Sequence, residues 1–203
     1  MHKKILIFAL FTLLALPFAA AAEQTTWNVD QAHSNVGFSV RHFLTQVPGH
    51  FDDFDGTIVY DAENPSNSSV DVTVQAASID TNNENRDKHL RSPDFFATEE
   101  HPTLTFKSKK VAKLGADKLS VTGDLTIRGT TQEVTIPVEV LGVMGEKAGF
   151  ATEFVIDRQE YGVQWNRALD NGGTILSDEV KIRLDFEVNL QKEEMEGEEA
   201  AAE

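Results

Sequence analysis

The 203-residue chain contains no cysteine. No disulfide can staple the fold, no thiolate can bind a metal or attack a substrate, and no lipid can be attached through a thiol after export. Basic residues are scarce, with 18 Lys and Arg against 33 Asp and Glu and a net charge of −15. That balance argues against nucleic acid and against anionic membrane surfaces as partners. Only two Trp and two Tyr are present. A barrel embedded in an outer membrane carries girdles of such residues at both interfaces, so this reading is weakened. The sequence also lacks GxGxxG, the phosphate-cradling GxxxxGK[ST] and the zinc-binding HExxH. Gly37-Phe38-Ser39-Val40-Arg41 approaches the nucleophile elbow G-x-S-x-G, but the second Gly is missing and the segment reads as strand.

Only the start of the chain has a long apolar run. Lys3 and Lys4 precede Ile5 to Phe18, and Ala20-x-Ala22 offers a small-residue cleavage site. Residues 1–22 therefore read as a secretory signal peptide, too short in its apolar part to span a bilayer. The expected product is a periplasmic protein that is not integral to a membrane. Residues 23–191 make one domain, long enough to bury a core. Residues 192–203 contain six Glu and one Lys and read as an acidic, solvated tail.

Period-two alternation dominates the domain. Val36, Phe38 and Val40 alternate with polar or small residues. So do Val70, Val72, Val74 and Ala76; Leu104 and Phe106; Leu119, Val121, Leu125 and Ile127; Val134, Ile136, Val138 and Val140; and Val180 through Leu190. Phe51 to Tyr60 reads as one less regular strand. One face of each strand is dry and the other wet, which indicates antiparallel sheet. Arg128-Gly129-Thr130-Thr131 joins two long strands in a tight hairpin, and residues 141–148, with Gly142 and Gly145, read as a further turn. About eight strands in succession leave two edges unless the sheet closes, so a barrel is expected.

Residues 82–97 interrupt the pattern. Asn82 or Asn83 can cap a short helix through Leu90, and Ser92-Pro93 reads as the start of a second turn carrying Phe95 and Phe96. This insertion is expected to lie over one barrel opening, with residues 160–177 forming an irregular loop at a barrel end. The Asp80, Glu84, Arg86, Asp87, Lys88 and Arg91 cluster reads mainly as a solvated helix face. The five histidines beyond the signal segment, His33, His42, His50, His89 and His101, show no metal-ligand spacing, and no metal site is expected. The inward faces are rich in Val and nearly free of titratable groups. Such a barrel is either filled by its own side chains or roomy enough for one apolar ligand.

Several runs together resemble the YceI family. They are Trp27-Asn28-Val29-Asp30 with His33-Ser34; Gly49-His50-Phe51; Ser78-Ile79-Asp80-Thr81; Arg86-Asp87; His89-Leu90; Ser92-Pro93-Asp94-Phe95-Phe96; residues 123–129; and Arg158 with Tyr161-Gly162. The resemblance runs from about Trp27 to Leu190. It implies an all-β fold, an eight-stranded antiparallel lipocalin-like barrel with a long amphiphile inside: a polyisoprenoid, a quinone-type lipid or a similar long-chain molecule. No covalent cofactor and no agreed catalytic mechanism accompany the family. The candidate lining is Phe38, Val40, Val72, Val74, Phe106, Val121, Ile136 and Leu184, with Phe95 and Phe96 as a plug. His33, His42, Arg86 and Asp87 are candidates for holding a polar head group. The expected function is lipid carriage, with a homodimer open as a possibility. The competing readings are an enzyme using His33, Asp30 or Arg86 at the barrel mouth, and a structural or stress-related barrel with no dedicated ligand.

Overall fold

The computed structural model describes residues 25–168 and 174–191. The signal segment and the acidic tail lie outside the described residues. Eleven strand segments and one α-helix follow in order: β1 (Thr25–Val29), β2 (Asn35–His42), β3 (Thr45–Phe51), β4 (Phe54–Tyr60), β5 (Ser69–Gln75), β6 (Ile79–Asp80), α1 (Glu84–Arg91), β7 (Thr103–Lys113), β8 (Lys118–Ile127), β9 (Thr130–Met144), β10 (Lys147–Asp157) and β11 (Leu176–Leu190). All named pairings are antiparallel.

The eleven segments form eight ribbons. A 3-10 turn at Gln31–His33 separates β1 from β2, and another at Ala76–Ser78 separates β5 from β6. A two-residue bend at Asp52-Asp53 separates β3 from β4. At one end the ribbons run β1-β4-β5-β7-β8-β9-β10-β11 and return to β1 through Trp27 opposite Leu190 and Val29 opposite Val188. The chain is therefore an eight-stranded antiparallel closed barrel. At the other end β11, β2, β3 and β6 continue the sheet, but β6 pairs only with β3 among the described strands. The barrel is split there, between β6 and β7.

The insertion fills the split. Asn83 caps α1, its Oδ1 accepting from the Arg86 amide at 3.0 Å. Arg91 then donates through Nε to Ala77 O and through Nη2 to Ile79 O, each at 2.7 Å. Its guanidinium takes up carbonyls that the missing neighbour strand would have used, which protects the edge. A turn over 93–96 follows.

Three expectations change in detail. Phe51 to Tyr60 is two segments rather than one strand: Phe51 and Phe54 are both buried, and residues three apart share one face only if the strand bends between them. Ser92 does not cap a following helix. It ends α1, its hydroxyl donating back to His89 O at 2.7 Å, because that carbonyl is an orphan of the last helical turn. Residues 141–148 are mostly strand, with only Gly145-Glu146 between β9 and β10. The Arg128-Gly129 hairpin holds as expected, with φ of 50° and 70° at its two central residues.

Inward aromatic rings lie over glycines. A Cβ on Gly49 would fall 2.4 Å from the Phe38 ring, and one on Gly123 would fall 2.8 Å from the Phe106 ring and 2.5 Å from Lys107 O. The small residues on these strands let large rings turn sideways along the wall instead of filling the axis.

Candidate functional site

The barrel encloses an apolar cavity of about 530 Å³, within the ordinary range for a small-molecule site. Its wall comes from the dry faces of the strands. Phe38 and Val40 reach it from β2, Val72 and Val74 from β5, and Phe106 from β7. Val121, Ile136 and Leu184 reach it from β8, β9 and β11. Phe95 and Phe96 border it from the turn after α1. The alternation thus brings eight of the ten proposed lining residues to one space, and the turn after α1 adds Phe95 and Phe96. At the floor, Tyr60 stands edge-on to Phe150 at 5.5 Å, and Val121 and Ile136 are buried.

The opposite end forms a lid. Phe95 lies 5.2 Å from Trp165, and the His89 ring stands edge-on to both, at 5.0 and 5.2 Å. His89 Nε2 is 2.9 Å from Asp94 Oδ2, which fixes the ring. Phe96 reaches across to Phe51, with ring centroids 5.9 Å apart. Arg128, at the tip of the β8–β9 hairpin, donates to Pro93 O at 2.8 Å and to Gly162 O. One guanidinium therefore ties the lid turn to the loop after β10. Of the lining residues only His42, Asn85 and Arg86 are exposed, so the mouth opens between the β2–β3 hairpin and α1.

The four head-group candidates separate into two pairs. His42 and Arg86 border the cavity. Arg86 donates through Nε to Thr81 Oγ1 and through Nη2 to Thr81 O, both at 2.7 Å, which leaves further N–H groups of its five free to turn toward the mouth. His33 and Asp87 do not border the cavity. His33 sits on the exposed 3-10 turn, with Nδ1 3.0 Å from Asp30 Oδ2. Asp87 is buried beneath the helix, where its Oδ1 accepts from the Thr81 amide at 3.0 Å and from the Thr81 hydroxyl. Its carboxylate is occupied in holding the start of α1 to the end of β6.

Two polar groups inside the cavity were not singled out as site candidates. Arg158 is 5% exposed. It donates through Nη1 to Val163 O at 2.5 Å and Trp165 O at 3.0 Å, through Nε to Ser177 O at 2.9 Å, and through Nη2 to Asp178 at 3.1 Å. Burial lowers its pKa, against the pull of Asp178 and Asp157. The expectation that the inward faces are nearly free of charge fails here. The signal was the parity of Phe154, Ile156 and Arg158, which puts the arginine on the same face as the two apolar residues. Tyr161 is 1% exposed and lines the cavity. Burial pushes its phenol up to about 12, with Glu160 adding to the shift, so at neutral pH it can donate a hydrogen bond but is not a base.

Folding also collects two His-carboxylate groups that spacing did not suggest: Asp30, His33 and Glu187, and His50, Asp52 and Asp80. Neither group borders the cavity. In the first, Lys147 pairs with Glu187 and Asn189 donates to Asp30 at 3.2 Å. Hydrogen bonds from His33 and then Asn189 hold the Asp30 carboxyl below its ordinary range. In the second, His50 Nε2 lies 3.1 Å from Asp52 Oδ1 and Asp80 accepts from the Asn82 amide.

The family profile described as YceI-like domain matches residues 27–188. A UPF0312 protein of Staphylococcus epidermidis is 38% identical over 173 residues, covering 82% of this chain and 98% of the relative. The crystal structure of BcnA from Burkholderia cenocepacia superposes with a TM-score of 0.73 at 29% identity, over 78% of this chain and 98% of that one. A polyisoprenoid binding domain from Saccharophagus degradans, implicated in plant cell wall breakdown, shares the fold, with a TM-score of 0.65 at 13% identity, over 83% and 100% of the two chains.

Proposed function

The chain belongs to the YceI-like domain family, and from that premise we propose that it binds a long-chain isoprenoid, such as a polyprenyl or quinone-type lipid, or a similar amphiphile, and carries it in the periplasm without altering it. The observation that carries this reading is the cavity. An apolar space of about 530 Å³ runs along the barrel from a floor of Tyr60 and Phe150 to a rim holding His42 and Arg86. Each buried methylene of a tail contributes roughly 0.8 kcal/mol, while the few polar groups fix the head. Arg86 and His42 suit a carbonyl or phosphate at the mouth, and Tyr161 can donate to an oxygen of the bound chain. A fold relative described as a polyisoprenoid binding domain is in keeping with this ligand class. The signal-like residues 1–22 are in keeping with export, and no helix of the described residues is long and apolar enough to cross a membrane.

The carrier reading is favoured over an enzyme by the chemistry of the wall. General acid–base work needs a group poised near neutral pH within hydrogen-bond reach of the reacting atom. Arg158 is committed to loop carbonyls, and Tyr161 stays a neutral phenol. The two cavity histidines lie at the mouth end, His42 on the exposed rim and His89 engaged by Asp94. His33 and Asp30, two residues of the enzyme reading, lie off the cavity.

Mass spectrometry of an organic extract of the native protein tests the proposal directly, and an isoprenoid or comparable amphiphile in near-stoichiometric amount is expected. Protein loaded with a long-chain quinone should release it chemically intact after many hours, and Phe95→Ala with Phe96→Ala should speed release at least tenfold. Time-dependent turnover of the lipid, or protein that takes up no such lipid, would overturn the reading.

A further inference from the structure

The β2–β3 hairpin turns on two residues, Phe43 and Leu44, between the paired His42 and Thr45. Two-residue turns with positive φ at the first central position favour glycine there. Phe43 occupies it with φ of 55°, a conformation in which a bulky side chain is strained. Leu44 is 95% exposed and Phe43 50% exposed. Turn chemistry asks for small or polar residues here and water does the same, so both local rules are broken at once. Such double departures mark function more often than packing. The tip is held in place, since the Phe43 amide donates to Ile175 O at 2.8 Å. The Phe43 ring also stands edge-on to the His42 ring at 5.2 Å, and His42 is part of the cavity rim. The exposed apolar tip is thus continuous with the mouth.

We infer that Phe43 and Leu44 form a lipid-surface anchor, which inserts into a bilayer of neutral headgroups and sets the cavity mouth against the membrane from which an amphiphile enters. This rests on the reading of the cavity as a lipid site. A second copy of the chain fits less well as the occupant. Two side chains on a narrow tip cannot cover the roughly 800 Å² per partner of a standard interface, whereas insertion into a bilayer needs no matching shape. The headgroups are neutral because the chain carries a net −15, which Arg41 beside the tip and Arg86 at the rim offset only locally. The β9–β10 tip is also apolar, with Val143 and Met144 49% and 83% exposed. It lies at the opposite end of the barrel, and its turn has a glycine, Gly145, at positive φ. It breaks no turn rule and serves as the control.

The experiment is flotation of purified protein, its N-terminus sequenced, with phosphatidylcholine vesicles. Phe43→Gly with Leu44→Asn satisfies the turn, so this variant should melt no lower than wild type, yet its bound fraction should fall at least tenfold. Val143→Ser with Met144→Ser should float like wild type. Wild type should bind phosphatidylcholine better than phosphatidylglycerol at low salt. Transfer of a fluorescent polyprenyl lipid between vesicles should slow in the tip variant, while its affinity for a short, water-soluble isoprenoid alcohol stays within twofold of wild type. Absence of wild-type flotation, equal flotation of wild type and tip variant, or a tip-dependent dimer without vesicles would overturn the anchor. Tip-dependent flotation by a protein that binds no isoprenoid would instead sink the carrier reading and leave the anchor standing.

Discussion

At the end where Trp27 faces Leu190 the eight ribbons form an unbroken ring, whereas at the end where β6 stops the ring is split and a helix fills the gap. The closed end is held by backbone pairing and by buried Trp27, Phe54, Ile58, Phe150, Phe186 and Val188. The split end is held by guanidinium groups: Arg91 on the β6 edge, Arg128 on the lid turn and Arg158 on the loop after β10. Where strands pair on both sides, backbone groups satisfy one another and side chains need only be apolar. Where pairing is given up to make an opening, carbonyls are stranded, and arginine, with five donors in a planar fork, replaces the missing strand. The opening is therefore a region of different chemistry, built to expose a cavity without exposing unpaired backbone.

Four substitutions sharpen or break that contrast. The largest effect is expected from Val121→Asp, near the floor, where the residue is 1% exposed. A buried, unpaired carboxylate should destabilise the fold by about 3–5 kcal/mol, read as a lower urea midpoint. Wild-type stability would show that the face assignment is wrong. Next, Arg158→Met should cost about 2–4 kcal/mol by stranding the carbonyls of Val163, Trp165 and Ser177. Hydrogen exchange should quicken in the 162–168 loop and at the start of β11 while the β1–β4 pair stays protected; uniform quickening would mean that the split end is not a separate unit.

Alkaline titration comes third. The Tyr161 phenol is raised in the folded state from 10.0 to about 12, so the unfolded chain ionises first. Stability should be full below pH 10 and fall as pH rises toward 12, by up to about 2–3 kcal/mol. Tyr161→Phe should remove most of this fall, leaving a smaller part from Tyr60, which is also raised by burial. The smallest effect is at the closed end in acid. Asp61 accepts from the amides of Asn64 and Glu63 and from the Asn67 side chain, and these bonds lower its carboxyl from 3.8. Its stabilisation is present above pH 3.8 and lost as pH falls through the lowered value. Asp61→Asn should flatten the acid side of the melting-temperature profile slightly; an unchanged profile would show that the loop does not contribute.

Much of this architecture was legible in the chain. Alternation in β8 and β11 gives both the strands and their dry faces, because a side-chain period of two leaves no other arrangement. The ten lining residues follow from that parity and from the apolar pair after Ser92-Pro93. The break between β3 and β4 was missed by reading Phe51 to Tyr60 as one strand, although the three-residue spacing of Phe51 and Phe54 carries it. Arg158 was legible by parity but reads against expectation, since a charge on a dry face is costly unless the fold supplies acceptors from elsewhere. Nothing local announces Ser177, Val163 and Trp165 as those acceptors. His33 and Asp87 show the opposite failure. Their side chains suit a head group by type, but the fold engages them first, with Asp30 and with Thr81. Whether the interior is a packed core or a cavity depends on how rings turn across eight ribbons, as Phe38 does over Gly49, and no single strand carries that information.

The closure of the ring also brings the first and last strands of the described barrel together. Trp27 pairs with Leu190, and the Gln191 amide donates to Thr26 O at 2.8 Å. The far end of β11, at Leu176, borders the cavity instead. The start of β1 and the end of β11 thus lie side by side at the pole opposite the mouth. A fluorescent protein, a surface tether or a short linker joining the ends into a circle can be attached there without obstructing the opening. The barrel is, in this respect, a cup with its handle at the base.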